Sequence, residues 1–138
     1  MKTITIIDDD VAFCNALELV LKKAGYAVNV ENTGQSILSN QFPVPDLLIL
    51  DRYLPELDGL ELCRRLRTQR ETSNLPVVMI SGNETVKFHA STAGATDFLS
   101  KPFDVNHLLK MLSFHCSYAP PKGPNNKWRK LPGKEREN

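Results

Sequence analysis

The chain has 138 residues, of which 41% are hydrophobic and 24% are charged, a composition typical of one globular domain large enough to bury a core. Its net charge of +1 argues against a nucleic-acid-binding surface spread over the whole protein. No stretch approaches the length of a membrane span, and the N-terminal residues lack the pattern of a signal peptide. We therefore expect a cytoplasmic protein with no membrane association.

Strand and helix patterns alternate five times along the first part of the chain. The predicted strands are β-branched or aliphatic runs at residues 2–7, 26–30, 47–51, 77–80 and 95–100. Apolar residues at helical spacing predict helices at residues 11–24, 33–40 and 83–93, and two more that begin at residues 58 and 104. This alternation predicts an α/β fold with a parallel sheet, right-handed crossovers and helices on both faces.

Several residues are typical of helix ends. Asp10, Asp58 and Asp104 precede predicted helices and have the side chain of an N-cap. Asp58 and Glu61 also have the spacing of a capping box. Gly25 follows the first helix and a second glycine, Gly94, follows the fourth, where a left-handed residue ends many helices.

Polar residues stand where the buried strands end. Four aliphatic residues run directly into Asp51, which predicts a strand buried on both faces with a carboxylate at its carboxyl end. Sheets of this kind hold ligands outside the carboxyl ends of their strands. The residues expected at this edge are Asp8, Asp9, Asp51, Ser81 and Lys101.

This set of side chains favours phosphoryl transfer to a carboxylate. Three neighbouring carboxylates repel one another and need a cation, and oxygen ligands without clustered His or Cys favour Mg²⁺. An ammonium and a hydroxyl are groups that hold phosphoryl oxygens. Asp51 is then the candidate nucleophile. Any one acid after a strand is more commonly a cap or turn residue, and Asp10 and Asp58 are assigned to that class; the joint occurrence at one edge favours a site.

The residues also carry a resemblance to a known family. The matching segments are Ile6–Asp10, Leu50–Gly59, Ile80–Gly82 and Gly94–Phe103. In these segments, which lie within residues 2–116, the chain resembles a response-regulator receiver domain of two-component signalling, the family that includes the chemotaxis regulator.

The resemblance implies a doubly wound, flavodoxin-like fold with five parallel strands in the order 2-1-3-4-5, flanked by five helices. It implies that Asp51 accepts a phosphoryl group from a phosphohistidine on a histidine kinase or histidine phosphotransfer protein. Such a chain is a signalling phosphoacceptor that catalyses only its own phosphorylation and dephosphorylation. The implied Mg²⁺ ligands are Asp8, Asp9, Asp51 and the backbone carbonyl of Tyr53.

The remaining roles are also implied by the resemblance. Lys101 pairs with the phosphoryl group, while Ser81 and Phe98 form a switch that alters an output face of helix four, strand five and helix five. Phe98 lacks the hydroxyl of the tyrosine that the family often has, so this switch works through packing alone. The interval from Ser81 to Lys101 is shorter than the family usually shows, which predicts a trimmed helix four or preceding loop.

Two alternatives remain at this stage. In a haloacid-dehalogenase phosphatase, Asp8 would be the nucleophile and Asp10 the general acid, although Asp51 would then have no role. The second alternative is a receiver-like scaffold that is not phosphorylated.

The end of the chain differs from the rest. Residues 1–118 contain 11 Lys+Arg and 14 Asp+Glu, whereas residues 119–138 contain 6 and 2. We predict a receiver domain over residues 1–118 and a disordered basic tail or linker over 119–138. No helix-turn-helix pattern follows, so direct DNA binding by this chain is not expected; an unknown output partner and a phosphorylation-dependent dimer are. The three cysteines are expected to be reduced thiols. The histidines His89, His107 and His115 are expected at the surface or partly packed.

Overall fold

The computed structural model describes residues 1–83 and 86–117. Within these residues strand and helix alternate five times, with one short 3-10 turn at Arg70–Thr72. The strands are β1 (Thr3–Ile7), β2 (Ala27–Glu31), β3 (Leu47–Asp51), β4 (Val77–Ser81) and β5 (Asp97–Ser100). The helices are α1 (Val11–Lys23), α2 (Gln35–Leu38), α3 (Gly59–Arg67), α4 (Val86–Thr92) and α5 (Val105–Ser117).

The strands form one parallel sheet in the order β2-β1-β3-β4-β5. This confirms the predicted fold class and strand order. β3 lies at the centre between β1 and β4, and all five of its residues are buried, because a central parallel strand is covered on both faces. The register pairs Asp51 with Ile80 and Ser81 with Ser100, so the strand ends lie along one edge of the sheet.

Two apolar layers hold the helices on the sheet. Successive strand residues point to opposite faces, so Ile49 packs in one layer and Leu50 in the other. The first layer joins the sheet to α1 and α5, with Leu21 and Leu108 fully buried. The second joins it to α2, α3 and α4, with Leu62 fully buried. No described helix is long and apolar enough to span a membrane.

The predicted helix caps are present. The side chain of Asp10 accepts a hydrogen bond from the Phe13 amide, and those of Asp58 and Asp104 accept from amides two residues ahead. Gly25 and Gly94 have φ angles of +100° and +99°, where an L side chain is strained. The capping box is not completed by Glu61, because its carboxylate pairs with Arg64 instead.

Some boundaries differ from the predictions. α2 covers only Gln35–Leu38 instead of residues 33–40, and Asn40, with φ of 60°, ends this segment. β5 begins at Asp97 instead of residue 95, because the Ala95 amide still bonds to Ala90 of α4. α4 is described from Val86, and the predicted start at residue 83 is followed by two residues outside the described ranges.

One prediction about the histidines was wrong. His115 is buried, with 4% exposure, and its Nε2 lies 3.1 Å from a carboxylate oxygen of Asp97 on β5. A helix residue that looks polar in the sequence can be buried when a carboxylate on the adjacent strand faces it. The predicted boundary after residue 118 and the basic tail lie outside the described residues.

Candidate functional site

The carboxyl edge of the sheet brings together the acids that the sequence predicted. Asp8 follows β1 and Asp51 ends β3 on the neighbouring strand. Asp8, Asp9 and Asp51 each present one carboxylate oxygen, and these three oxygens lie within 4.8 Å of one another. Asp8 and Asp51 are buried, whereas Asp9 is exposed. Three acids this close, two of them buried, form a site that can hold a divalent cation through oxygen ligands.

Lys101 supplies the positive charge next to these acids. Its Nζ lies 2.9 Å from Oδ2 of Asp8, and its backbone amide donates to the Ser81 carbonyl at 2.8 Å. The same ammonium lies 4.1 Å from the centre of the Phe13 ring. The Lys101–Pro102 peptide bond is cis. The hydrogen bond to Ser81 holds the Lys101 backbone, and the contacts with Asp8 and Phe13 hold its head group.

Asp8 is held by a set of hydrogen bonds around a fully buried carboxylate. Its Oδ1 accepts from the Asp10 amide at 2.9 Å. Its backbone carbonyl accepts from Asn32 Nδ2 at 3.0 Å and from the Cys14 thiol at 3.3 Å. The start of α1 and the residue after β2 therefore hold both the carboxylate and the backbone of Asp8.

Asp51 has an unusual electrostatic environment. Burial, followed by the nearby charge of Asp8, raises the pKa of Asp51 to about 6. The Lys101 ammonium and a hydrogen bond from the Tyr53 backbone lower the pKa, but they do not offset the rise. The ionised form therefore lacks compensating charge at this site, and a bound cation would provide it.

The segment after Asp51 packs closely against the start of α3. The Gly59 amide donates to the Arg52 carbonyl at 2.8 Å, and the Arg52 guanidinium pairs with Asp58 at 3.2 Å. A Cβ on Gly59 would lie only 2.3 Å from the Asp51 carbonyl oxygen. The position of the acid therefore depends on a glycine at the first residue of α3.

The other predicted site residues lie near this cluster or on β5. Ser81 is fully buried at the end of β4, and its Oγ accepts from the Asn83 amide at 3.1 Å. Tyr53, two residues beyond Asp51, is 51% exposed. Phe98 is paired in register with Met79, further from the edge than Ser81, and packs partly buried against the α2–α3–α4 layer.

Three neighbours of the cluster were not predicted as site residues. Phe13 lies in the predicted first helix, and neither it nor Asn32 and Cys14 was given a role at the site. The Phe13–Lys101 and Asn32–Asp8 contacts join residues far apart in the chain, and helical periodicity carries no signal of such pairs. For Asn32, its place directly after β2 at the same edge of the sheet was the available signal.

Comparisons with known proteins agree with this geometry. The model of the response regulator receiver domain matches residues 4–113. RpaA, a DNA-binding dual master transcriptional regulator of Synechocystis, is 40% identical over 113 residues, which make up 79% of this chain and 46% of that protein. The chain thus spans about half the length of the curated relatives it matches.

Two solved structures have the same fold. A putative response regulator from Chloroflexus aurantiacus is 37% identical with a TM-score of 0.79, and the match covers 85% of this chain and 98% of that one. The receiver domain of a Pseudomonas aeruginosa sensor histidine kinase, solved with a magnesium ion in its active-site cleft, is 26% identical with a TM-score of 0.77, over 85% and 98% of the two chains. The chain therefore belongs to the response regulator receiver domain family of two-component signalling.

Proposed function

We propose that this receiver domain takes a phosphoryl group onto Asp51 from a phosphohistidine of a histidine kinase or histidine phosphotransfer protein. The observation that supports this most directly is the cluster of Asp8, Asp9 and Asp51, with oxygens within 4.8 Å, beside the ammonium of Lys101. Membership of the receiver family excludes the haloacid-dehalogenase alternative.

The chemistry follows from the charges at this edge. A carboxylate oxygen of Asp51 bonds to phosphorus while the bond from phosphorus to the histidine nitrogen breaks, and the released imidazole takes a proton from solvent. Asp51 is 6% exposed, so its carboxylate has only a partial hydration shell when the phosphohistidine approaches. Lys101 then moves its ammonium from Asp8 toward a phosphoryl oxygen, where it offsets the added negative charge.

Mg²⁺ is the cofactor that these residues fit. Asp8, Asp9, Asp51 and the backbone carbonyl of Tyr53 would hold it, since all four groups offer the oxygen ligands that Mg²⁺ prefers. The raised pKa of Asp51 is consistent with a site designed around a cation. Bound Mg²⁺ would neutralise charge on the phosphoryl oxygens.

The signal then passes to Ser81 and Phe98. The Ser81 hydroxyl accepts a hydrogen bond from the Asn83 amide, so its own proton is free to be directed toward a phosphoryl oxygen. When the segment at Ser81 and Asn83 moves toward the phosphoryl group, it opens space next to β5. The partly buried Phe98 side chain then moves inward to fill that space. The proposed output face consists of α4, β5 and α5, and it binds an output partner or a second copy of the chain.

The wider setting is part of the same proposal. The chain acts in the cytoplasm as a signalling phosphoacceptor, without turnover of a separate substrate. RpaA is a DNA-binding regulator by name, and for this chain we propose that any DNA contact is made by an output partner or output region and not by the receiver domain. We propose that the receiver domain covers residues 1–118, with 119–138 a basic linker or tail.

A Mg²⁺ titration followed by NMR separates this function from a scaffold that is not phosphorylated. We expect saturable shifts of the amides around Asp8, Asp9 and Asp51 in the wild-type protein and their loss in Asp9→Asn. Asp46→Asn is the matched control, because Asp46 lies before β3 at the opposite end of the strand and its carboxylate bonds to the Thr3 amide. Failure of the wild-type protein to bind Mg²⁺ would support the scaffold.

A further inference from the structure

We propose that Phe13 is a positioning residue for Lys101: its aromatic face holds the ammonium at the carboxylate cluster before a phosphoryl group arrives. The Lys101 Nζ lies 4.1 Å from the centre of the Phe13 ring, well within the range of a cation–π contact. The inference rests on the proposed role of Lys101 at the phosphoryl group, and it names a residue of α1 for which no such role was predicted.

The need for such a residue follows from the chemistry of lysine. A lysine has a long flexible stem, and its free side chain samples many rotamers. Side-chain exposure at Lys101 is 26%, whereas Asp8, its ion-pair partner, has none. With the Asp8 ion pair alone, the Lys101 ammonium could still take several positions around the carboxylate. The additional contact with the Phe13 ring restricts this motion. Restricted motion is what preorganises a charge for a reaction.

The contacts around Phe13 form a closed circuit. The Asp10 amide donates to Oδ1 of Asp8 at 2.9 Å, and the Phe13 amide donates to the Asp10 carboxylate at 3.0 Å. The Phe13 ring meets Lys101, whose Nζ returns to the other carboxylate oxygen of Asp8 at 2.9 Å. The acid and the aromatic ring that hold the lysine are therefore held relative to each other by the first turn of α1.

The Phe13 ring also contacts a second aromatic residue. Phe103, just after Lys101 and Pro102, packs edge-on to Phe13 with ring centres 6.0 Å apart and an angle of 89°. The two rings line one side of an apolar groove between α1 and the start of α5, and Lys101 is the charged residue in its lining. An amphipathic lysine suits this position, because its stem can lie along an apolar groove while its ammonium pairs with Asp8.

Two substitutions, Phe13→Leu and Phe13→Tyr, distinguish an effect of the aromatic face from an effect of apolar size. Phe13→Leu retains a large apolar side chain and removes the ring, whereas Phe13→Tyr retains the ring. With saturating Mg²⁺ and limiting acetyl phosphate, we expect Phe13→Leu to lower the rate constant of phosphorylation about three- to tenfold. We expect Phe13→Tyr to remain within about twofold of the wild-type rate.

Phe42→Leu is the matched control. It is the same substitution at a partly buried ring that packs in the α2–α3–α4 layer, on the opposite face of the sheet. We expect Phe42→Leu to be phosphorylated at the wild-type rate. A urea titration of each variant confirms that the variant is folded. In a Lys101→Ala background, Phe13→Leu should cause no further loss, because a residue that acts through Lys101 has nothing left to position.

An NMR readout tests the contact without any phosphorylation. The ε-methylene protons of Lys101 should show an upfield ring-current shift that is lost in Phe13→Leu and retained in Phe13→Tyr. Three results would overturn the proposal. They are a wild-type rate of phosphorylation in Phe13→Leu, an equal loss of rate in Phe13→Tyr, and a further loss of rate when Phe13→Leu is added to Lys101→Ala. If the wild-type protein accepts no phosphoryl group, the proposed function fails, and the ring-current shift still decides whether Phe13 holds Lys101.

Discussion

Asp51 combines burial with a nearby like charge, and both raise the free energy of its ionised form. Its pKa is raised from 3.8 to about 6 by burial first and by Asp8 second. The folded protein therefore binds this proton more tightly than the unfolded chain does. The associated stability is fully present below pH 3.8 and is lost as the pH rises through about 6. At neutral pH the metal-free protein contains a destabilising carboxylate at its proposed phosphoacceptor position.

Replacement of this carboxylate should stabilise the metal-free protein. We expect Asp51→Asn to raise the free energy of unfolding at pH 7.5 by about 1–3 kcal/mol, since two pKa units correspond to about 3 kcal/mol and residual solvation reduces that value. The gain should shrink toward zero at pH 4, where wild-type Asp51 is largely protonated. Urea denaturation of both proteins in EDTA, at the two pH values, measures it. A gain of equal size at pH 4 would show that its origin is not the charge.

Gly59 places the proposed phosphoacceptor through backbone contact alone. Alanine normally favours a helix over glycine by about 1 kcal/mol, yet here its Cβ would lie 2.3 Å from the Asp51 carbonyl oxygen. We therefore expect Gly59→Ala to lose about 2–4 kcal/mol of stability in urea denaturation. Gly82→Ala is the control, since a Cβ there meets nothing within 4 Å. Equal stabilities for the two variants would contradict the close approach.

Site residues at strand ends were predictable, and those that act through helix faces were not. Asp8, Asp51 and Ser81 could be placed together because the carboxyl ends of adjacent parallel strands share one edge. The Phe13–Lys101 contact and the pair of His115 with Asp97 depend on which helix packs over which strand. Periodicity identifies the buried face of a helix, but not its partners.

At the scale of elements, α3 connects the proposed site to the turn between α4 and β5. Its first residue, Gly59, lies against the Asp51 backbone. Its last, Arg67, contacts the 3-10 turn and the connection between α4 and β5. The Arg67 guanidinium donates to the carbonyls of Gly94 at 2.8 Å and Thr72 at 3.0 Å, and to the Thr96 hydroxyl at 3.3 Å. The aliphatic part of Arg67 also lies close to Gly94. One side chain therefore fixes α3 relative to the start of β5.

Loss of this guanidinium should be far more costly than loss of an exposed one. We expect Arg67→Met, which keeps the apolar stem, to lower the free energy of unfolding by about 2–4 kcal/mol, because two partly buried carbonyls lose a charged donor. Amide hydrogen exchange should rise first at the α4–β5 turn. Arg64→Met removes only an exposed pair with Glu61, so it should change stability by less than about 0.5 kcal/mol. Similar losses in the two variants would contradict the special role of Arg67.

Element existence was easier to predict than element extent. The buried runs of β3 and β4 were readily identified, since four consecutive apolar residues followed by a polar one are typical of a short strand covered on both faces. α2 was predicted to be twice as long as its four residues. Its ends depend on tertiary contacts, and the sequence pattern does not show these contacts. Its end at Asn40 is a left-handed residue, which asparagine tolerates better than most others.

In the described part of the molecule, the apolar core and the candidate site occupy different places in the fold. The two apolar layers hold the five strands in place, and the polar groups of the candidate site are collected at one edge of the sheet. The chain spans about half the length of its curated relatives. The proposed signal leaves through a surface of this domain. The α4–β5–α5 face is the proposed route, and α3 joins it to the site through Arg67.

The proposed function depends on the transfer of a phosphoryl group to Asp51 in a reaction that needs Mg²⁺. The most direct measurement is incubation of the protein with acetyl phosphate and Mg²⁺, followed by borohydride trapping and peptide mass spectrometry. We predict homoserine at position 51, because borohydride reduces an aspartyl phosphate to homoserine with release of phosphate, and we expect none of it in EDTA or in Asp51→Asn. Homoserine at position 8, or none in a folded protein that binds Mg²⁺, would contradict the proposed role of Asp51.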